Sequence, residues 1–408
     1  MSSARDGAEG APSEASWRAT LTSRWALVSL AALLYWIASH SLRPFVVLRL
    51  DGLGASNQEI GLVAAGYAFF ALFVAIPGGR AIDRLGCGRV LYGSGLAMAC
   101  LGIAYVFADT VVQLLVLQMI NGVIELGVWL AIQTLATHAG RGDTLAKQLA
   151  LFSFAWGLGI AVGPTVGGFG YDQLGFAGLA LIYSGLAIAI VLAILPAPGK
   201  SASPHSRRGG LGRDAWQTGM RPPIRGVLLS SFVAMYIISI KNTFYPLSLE
   251  ERGMTAATIG LMLSVMGVAS LGIRLVLPAA LRRFGAGMVL VISSLIGIVG
   301  ISLTPWLFHP VLLVTAAAAT GAGYGANPPV AMQLLGEHSA EAHRGLVMGL
   351  RAAASRLAQV IQPVVFGSLA TAVGTAFAFP ISGTALLVMA LWTRRDLLIL
   401  DQGEPPDP

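Results

Sequence analysis

The chain has 408 residues, of which 55% are hydrophobic and 11% charged, and its mean hydropathy is +0.74. So few charges cannot cover the surface of a water-soluble protein of this length, which excludes an ordinary soluble enzyme or binding domain. The formal net charge of +7 needs no nucleic acid partner, because membrane proteins concentrate cations beside anionic lipid headgroups.

In chain order, residues 1–24 are polar, mix Asp6, Glu9 and Glu14 with Arg5 and Arg18, and show no cleavage-type signal pattern. They read as a disordered cytoplasmic tail before an uncleaved first helix. Apolar stretches of membrane-crossing length follow at 25–48, 59–80, 88–108, 111–136, 148–171 and 176–196. Ala, Leu, Gly and Val dominate them, without the alternation of a membrane barrel, so they predict helices. The Gly-, Ser-, Pro- and Arg-rich stretch 197–223 reads as a cytoplasmic linker. A second set is predicted at 224–247, 257–279, 287–307, 311–335, 346–370 and 375–393, followed by a cytoplasmic tail, 396–408. The expected fold is an all-α membrane protein of twelve helices in two six-helix bundles, 25–196 and 224–395. Fifty glycines suit it, since close helix contact in lipid relies on small residues. Cys87 and Cys100 have neither disulfide nor metal-ligand spacing.

Cations set the orientation. With the amino terminus inside, Arg80, Arg84, Arg89, Arg141, Lys147, Arg282, Arg283, Arg344, Arg394 and Arg395 all fall on the cytoplasmic side. The opposite loops keep Arg49 and Arg252 among the acids Asp51, Asp109, Asp172, Glu250 and Glu251. Both termini are therefore expected in the cytoplasm of a multi-pass protein of the inner or plasma membrane.

An offset of 199 residues aligns the halves: Phe45, Leu48 and Gly54 fall on Phe244, Leu247 and Gly253, and Ile60-Gly61-Leu62 on Ile259-Gly260-Leu261. Arg84 and Gly86 fall on Arg283 and Gly285, Gly122 on Gly321, Pro164 on Pro363, and Gly168 on Gly367. Duplication of an even number of helices relates the copies by an axis along the membrane normal and leaves a cavity between them for alternating access.

Between the second and third predicted helices stands Gly79-Arg80-Ala81-Ile82-Asp83-Arg84-Leu85-Gly86-Cys87-Gly88-Arg89, with a decayed copy at Leu281–Gly287. Over almost its whole length the sequence thereby resembles the major facilitator superfamily, whose loop signature this is, with Gly88 in place of one basic residue. The resemblance implies that Asp83 meets the amino end of the eleventh helix and stabilises the outward-facing state, with Gly79, Arg84, Gly86 and Arg89 as its conformational partners. The fifth helix carries Gly159, Gly163, Pro164, Gly167 and Gly168. This is similar to the antiporter signature of the drug/proton efflux branches, and it also suits ordinary small-residue packing. The family's basic residue on helix four is Gln118 here.

Glu125 is the one acid well inside a predicted span, where burial makes protonation part of its expected behaviour. Two roles stand open for it: proton coupling or cation binding, and static pairing with a buried arginine. Five basic residues lie in or at the edges of spans: Arg43, Lys241, Arg274, Arg351 and Arg356. Arg274 and Arg351 are close enough to the boundary to snorkel. Arg356 lies deeper and shares a polar stripe with Ser355, Gln359 and Gln362, which must face protein or water; an ion pair with Glu125 is one expectation. His40, Arg43, Lys241 and Asn242 suit either a carboxylate or phosphate group or interface anchoring. Asn121, Trp129, Trp156, Tyr324 and Asn327 offer stacking and hydrogen bonds to a solute, or helix packing.

The expected activity is secondary transport of a small organic solute, in the efflux direction and coupled to protons. Lipid surrounds the chain, and no cofactor, metal or catalytic residue is expected. No phosphate-binding Gly-rich Lys motif points to ATP. Proton-linked import of an organic anion is the alternative, and a non-transporting membrane sensor a more distant one.

Overall fold

A computed structural model describes residues 24–137, 142–195, 221–339 and 344–399, and every regular element among them is helical. In order these are α1 (Arg24–Gly52), α2 (Asn57–Leu85), α3 (Cys87–Val106), α4 (Val111–Thr137), α5 (Gly142–Ile194), α6 (Pro222–Asn242) and α7 (Phe244–Glu250). Then come α8 (Ala256–Phe284), α9 (Ala286–Leu303), a 3₁₀ turn (Thr304–Trp306), α10 (Pro310–Glu337), α11 (Arg344–Val373) and α12 (Thr375–Ile399). Ten segments of the described residues are helical, long and apolar enough to cross a membrane. α10 is not one of the ten, being diluted by glycines and Pro328-Pro329, yet it packs against α6, α8 and α9.

Three expected spans differ in detail. α5 runs through the fifth and sixth without a loop, bending only at Gly175 (φ 68°, ψ −176°), which divides it into limbs α5a (142–174) and α5b (176–194). The seventh is broken at Thr243 (φ −118°, ψ −77°) into α6 and α7. The repeat partner of Thr243 is Pro44, inside α1, where the missing amide removes a helical hydrogen bond.

The duplication is written into the backbone. All described glycines with positive φ pair at the repeat offset: Gly54 with Gly253, Gly86 with Gly285, and Gly175 with Gly374. Each sits at a helix junction where a Cβ would be strained. The caps repeat as well. Ser56 accepts from the Glu59 amide at the start of α2, and its partner Thr255 accepts from the Thr258 amide at the start of α8.

The halves meet along two repeat-related seams, α5a on α8 and α11 on α2. A Cβ on Gly260 would overlap the Pro164 carbonyl oxygen, and one on Gly61 the Pro363 oxygen. Gly168 lies likewise against Ala256 O and Gly367 against Asn57 O. The polar contacts are not symmetric. Asp172 accepts from the backbone amides of Ala256 (3.0 Å) and Ala257 (2.8 Å), placing a carboxylate on the amino end of α8. Its partner position is Thr371, which turns back to Gly367 O of its own helix.

Large apolar side chains such as Leu275, Phe308 and Phe107 are exposed on the outside of the bundle. In water such a surface would aggregate; in lipid it is ordinary solvent contact.

One boundary is corrected. α12 continues beyond 393 to Ile399, and Asp396, expected in the tail, is buried and accepts two hydrogen bonds from Arg225, at 2.8 and 3.0 Å. The Arg225 guanidinium also lies 5.2 Å from the Trp392 ring centroid. Paired in this bidentate way but partly solvated, the two charges hold the start of α6 to the end of α12. Asp396→Asn and Arg225→Gln are each expected to cost about 1 kcal/mol of stability. The double variant should cost no more than either alone when melting of the detergent-solubilised protein is followed.

Candidate functional site

Glu125 lies in mid-helix on α4 and is 1% exposed. Its carboxylate is held by hydroxyls. Ser39 Oγ of α1 and Tyr67 OH of α2 each donate to Oε2 at 2.7 Å, and Tyr183 OH of α5b stands 3.0 Å from Oε1. Tyr183 OH is also 2.7 Å from Asn121 Oδ1, one helical turn before Glu125. A phenol has one proton, so it can serve only one of these two acceptors. When Glu125 is ionised, all three hydroxyls donate to it. When Glu125 is neutral, its own proton goes to the Tyr183 oxygen and Tyr183 donates to Asn121. The carboxyl itself finds partners in both protonation states without moving a helix, and it is Asn121 Oδ1 that gives up the Tyr183 proton when Glu125 is ionised.

Gly122 makes this possible. A Cβ there would overlap the backbone carbonyl of Tyr67, so glycine is what lets α2 approach α4 closely enough for the Tyr67 hydroxyl to reach the carboxylate. The repeat partner Gly321 receives Met266 in the same way, so the second half copies the packing without the phenol.

The ion pair expected between Glu125 and Arg356 is not formed. The Arg356 guanidinium reaches Gln359 Oε1 at 3.4 Å, and the ion pairs of the described residues are Arg49–Asp109 and Arg225–Asp396. The stripe on α11 does face protein in part: Ser355 and Gln362 are buried, Arg356 and Gln359 half-buried. Arg274 and Arg351 are half-buried, and the Nε of each lacks a partner.

Beside Glu125 stands an aromatic cluster. Trp36 of α1 stacks on Trp156 of α5a (5.5 Å) and meets Trp129 of α4 edge-on (4.9 Å). Tyr35 and Phe152 stack on Trp129, and His40 lies 5.2 Å from the Trp36 ring. The glycines of α5a seat α1 here. Gly159 lies against Leu33 O and Trp36, Gly163 against Ile37 O and His40, and Gly167 against Ser41 O, while Gly168 and Pro164 face α8.

In the second half, Lys241 of α6 is 1% exposed, with its Nζ 5.8 Å from the Tyr324 ring centroid. The Arg43 guanidinium of α1 lies 4.0 Å over the Tyr67 ring. A void of about 10 Å³ between the halves is lined by Arg43, Tyr67, Gln118, Asn242 and Thr243, among others. Asn327, by contrast, donates to Ser230 Oγ at 3.1 Å and joins α10 to α6.

Arg84 and Arg89 are exposed, and Gly86 turns the chain between α2 and α3. Of Gly79 and Asp83 only the helical backbone belongs to α2 as described; the Asp83 carboxylate and its expected meeting with α11 lie outside the described residues. Sequence reasoning missed Ser39, Tyr67 and Tyr183, and named Asp172 only as an acid of the outer loops. Polar hydroxyls in apolar spans were the available signal, but nothing in the spacing across three helices says that they converge.

Comparison with known proteins bears on this architecture. The family model described as Major Facilitator Superfamily matches residues 28–225 and 227–406. The multidrug resistance protein MdtG of Citrobacter koseri is 25% identical over 395 residues, covering 93% of this chain and 95% of that protein. An uncharacterized MFS-type transporter of Methanocaldococcus jannaschii is 28% identical over 138 residues, covering 32% of this chain and 34% of that one. A crystal structure of the nucleoside transporter NupG superposes with a TM-score of 0.78 at 16% identity, covering 93% of this chain and 100% of that chain. A duplicated helical bundle whose halves meet on glycine seams, matched from end to end by one family's model, is a multi-pass membrane transporter: the chain belongs to the Major Facilitator Superfamily.

Proposed function

We propose that the chain is a proton-coupled secondary transporter that expels a small organic solute across the inner membrane by alternating access. It crosses the membrane twelve times, with α1–α4, α5a, α5b, the α6–α7 pair and α8–α12 as the spans and both termini in the cytoplasm. The observation that carries the reading is the Glu125 network, a buried carboxyl without a cationic partner whose hydrogen bonds close in either protonation state. A static structural acid would gain more from a fixed counter-ion. A group that takes up and releases a proton in each cycle needs two satisfied states instead.

The repeat-related seams support rocking of one half on the other, since each rests on backbone-to-backbone glycine contacts, to which the α5a–α8 seam adds hydrogen bonds of Thr165 with Ser264 and of Asp172 with the Ala256 and Ala257 amides. Export is supported by the glycine pattern of α5a and by the end-to-end similarity to a protein named for multidrug resistance.

The test uses bacterial cells lacking their own main efflux pumps, incubated with a panel of fluorescent organic compounds. Expression of the chain is expected to lower the accumulation of at least one compound, and a protonophore should restore it. Accumulation raised by expression and abolished by the protonophore would instead assign proton-linked import. Accumulation unaffected by the protonophore would remove proton coupling.

A further inference from the structure

We propose that Lys241, Arg43 and His40 form a binding site for the carboxylate or phosphate group of a flat organic solute, with the Trp36–Trp129–Trp156 cluster as the wall for its apolar body. The site rests on the transporter reading above and names the class of cargo. Arg43 and His40 come from α1 in the first half, and Lys241 from α6 in the second. They come together between the halves: Arg43 lines one void with Asn242 and Thr243, the residues that follow Lys241 on α6, and His40, about one turn before Arg43 on α1, lies 5.2 Å from the Trp36 ring.

Their charge has no protein counterpart. Among the described residues neither Lys241 nor Arg43 has a carboxylate within ion-pair distance. Glu125, the buried acid of the first half, is engaged by three hydroxyls. An ammonium as deeply enclosed as that of Lys241 is costly to leave uncompensated. An arriving anion would supply the missing counter-charge.

Polar atoms beside the cations are unspent as well. Gln362 is 0% exposed, takes a long bond from Thr243 Oγ1 (3.4 Å) on its oxygen, and leaves Nε2 without an acceptor. The indole Nε1 atoms of Trp36 and Trp156 are also buried without acceptors. The unpartnered donors, with the ammonium and guanidinium beside them, outnumber the one unpartnered acceptor that lines the void with Arg43, Asn242 Oδ1. Donors held in excess on a positive site suit an oxyanion and repel a cation. Tyr67 links the two centres, its hydroxyl on Glu125 and its ring under Arg43, so a change at one is felt at the other.

The same chemistry could be met by a soluble anion or by an anionic lipid headgroup. The aromatic wall and the position inside the bundle favour the soluble solute. The experiment follows thermal unfolding of the purified full-length chain in a neutral detergent with benzoate, phenyl phosphate, benzamide or benzylamine, and separately with phosphatidylglycerol. Benzoate or phenyl phosphate should raise the melting temperature saturably, while the neutral and cationic analogues of the same shape should not. Lys241→Met should raise the half-saturating anion concentration by about tenfold or more, and Lys241→Arg should retain most of the response. Where Lys241→Met yields no folded protein, Arg43→Gln serves the same comparison.

The site is refuted if benzamide or benzylamine matches the anions. It is equally refuted if neither anion acts up to its solubility limit, if Lys241→Met responds like the parent, or if only phosphatidylglycerol stabilises. Loss of flux with anion binding intact would sink the transporter reading alone; selectivity for the amine would sink this site and leave transport standing.

Discussion

Glu125→Gln is expected to abolish proton-driven solute flux, down to the level of empty liposomes, in a protein that still folds and still exchanges solute across the membrane. The amide is a close copy of the neutral carboxyl. Its oxygen accepts from Ser39 and Tyr67, and its nitrogen donates to the Tyr183 oxygen, which passes its own proton to Asn121. Every hydrogen bond of the protonated state survives, and only titration is lost. Reconstituted protein with an imposed pH gradient should therefore show no uphill movement, while solute-for-solute exchange continues. Glu125→Ala should behave differently, because Ser39 and Tyr67 lose their acceptor in a buried place, while Tyr183 keeps Asn121. A stability loss of about 2–3 kcal/mol is expected there, read as a lowered melting temperature. Full pH-driven transport by Glu125→Gln would remove Glu125 from the coupling step.

A matched pair of glycine substitutions should separate packing from coupling. In both Gly122→Ala and Gly321→Ala the new methyl runs into a backbone carbonyl, of Tyr67 or of Met266, which cannot rotate away. Each should cost roughly 2–3 kcal/mol, the usual penalty for overpacking a close contact. Only Gly122→Ala displaces a phenol from Glu125. It should impair proton-driven flux far more than solute exchange, whereas Gly321→Ala should lower stability and leave the ratio of the two near that of the parent. Equal effects on that ratio would mean that Tyr67 has no part in coupling.

The fold was open to sequence reading because membranes restrict it to few solutions. Each long apolar run had to be a helix, and the repeat offset fixed how the halves correspond, down to glycines later found with matching positive φ. The junctions were less open. Gly175 joins two spans without a loop, Thr243 breaks another, and α12 runs on to bury Asp396, because a tertiary partner, Arg225, stabilises a charge that hydropathy alone assigns to a tail.

At the candidate site, Glu125 stood out as the one acid well inside an apolar span, and Lys241 and Arg43 as two of five cations in or beside the spans. Their partners did not. Tyr67 and Tyr183 look like packing tyrosines until three helices are assembled, and charge alone suggested Arg356 as the companion of Glu125, where the molecule uses hydroxyls instead.

The most direct test of the coupling between Glu125 and the movement of the halves is a distance measurement across the seam. Spin labels at Gln58 of α2 and Ala372 of α11, both exposed, report on it in protein whose Cys87 and Cys100 have been replaced by serine. In lipid the separation is expected to shift between two populations as pH is changed, and Glu125→Gln should hold one of them at every pH. A single separation indifferent to pH, or a pH response that persists unchanged in Glu125→Gln, would contradict the account.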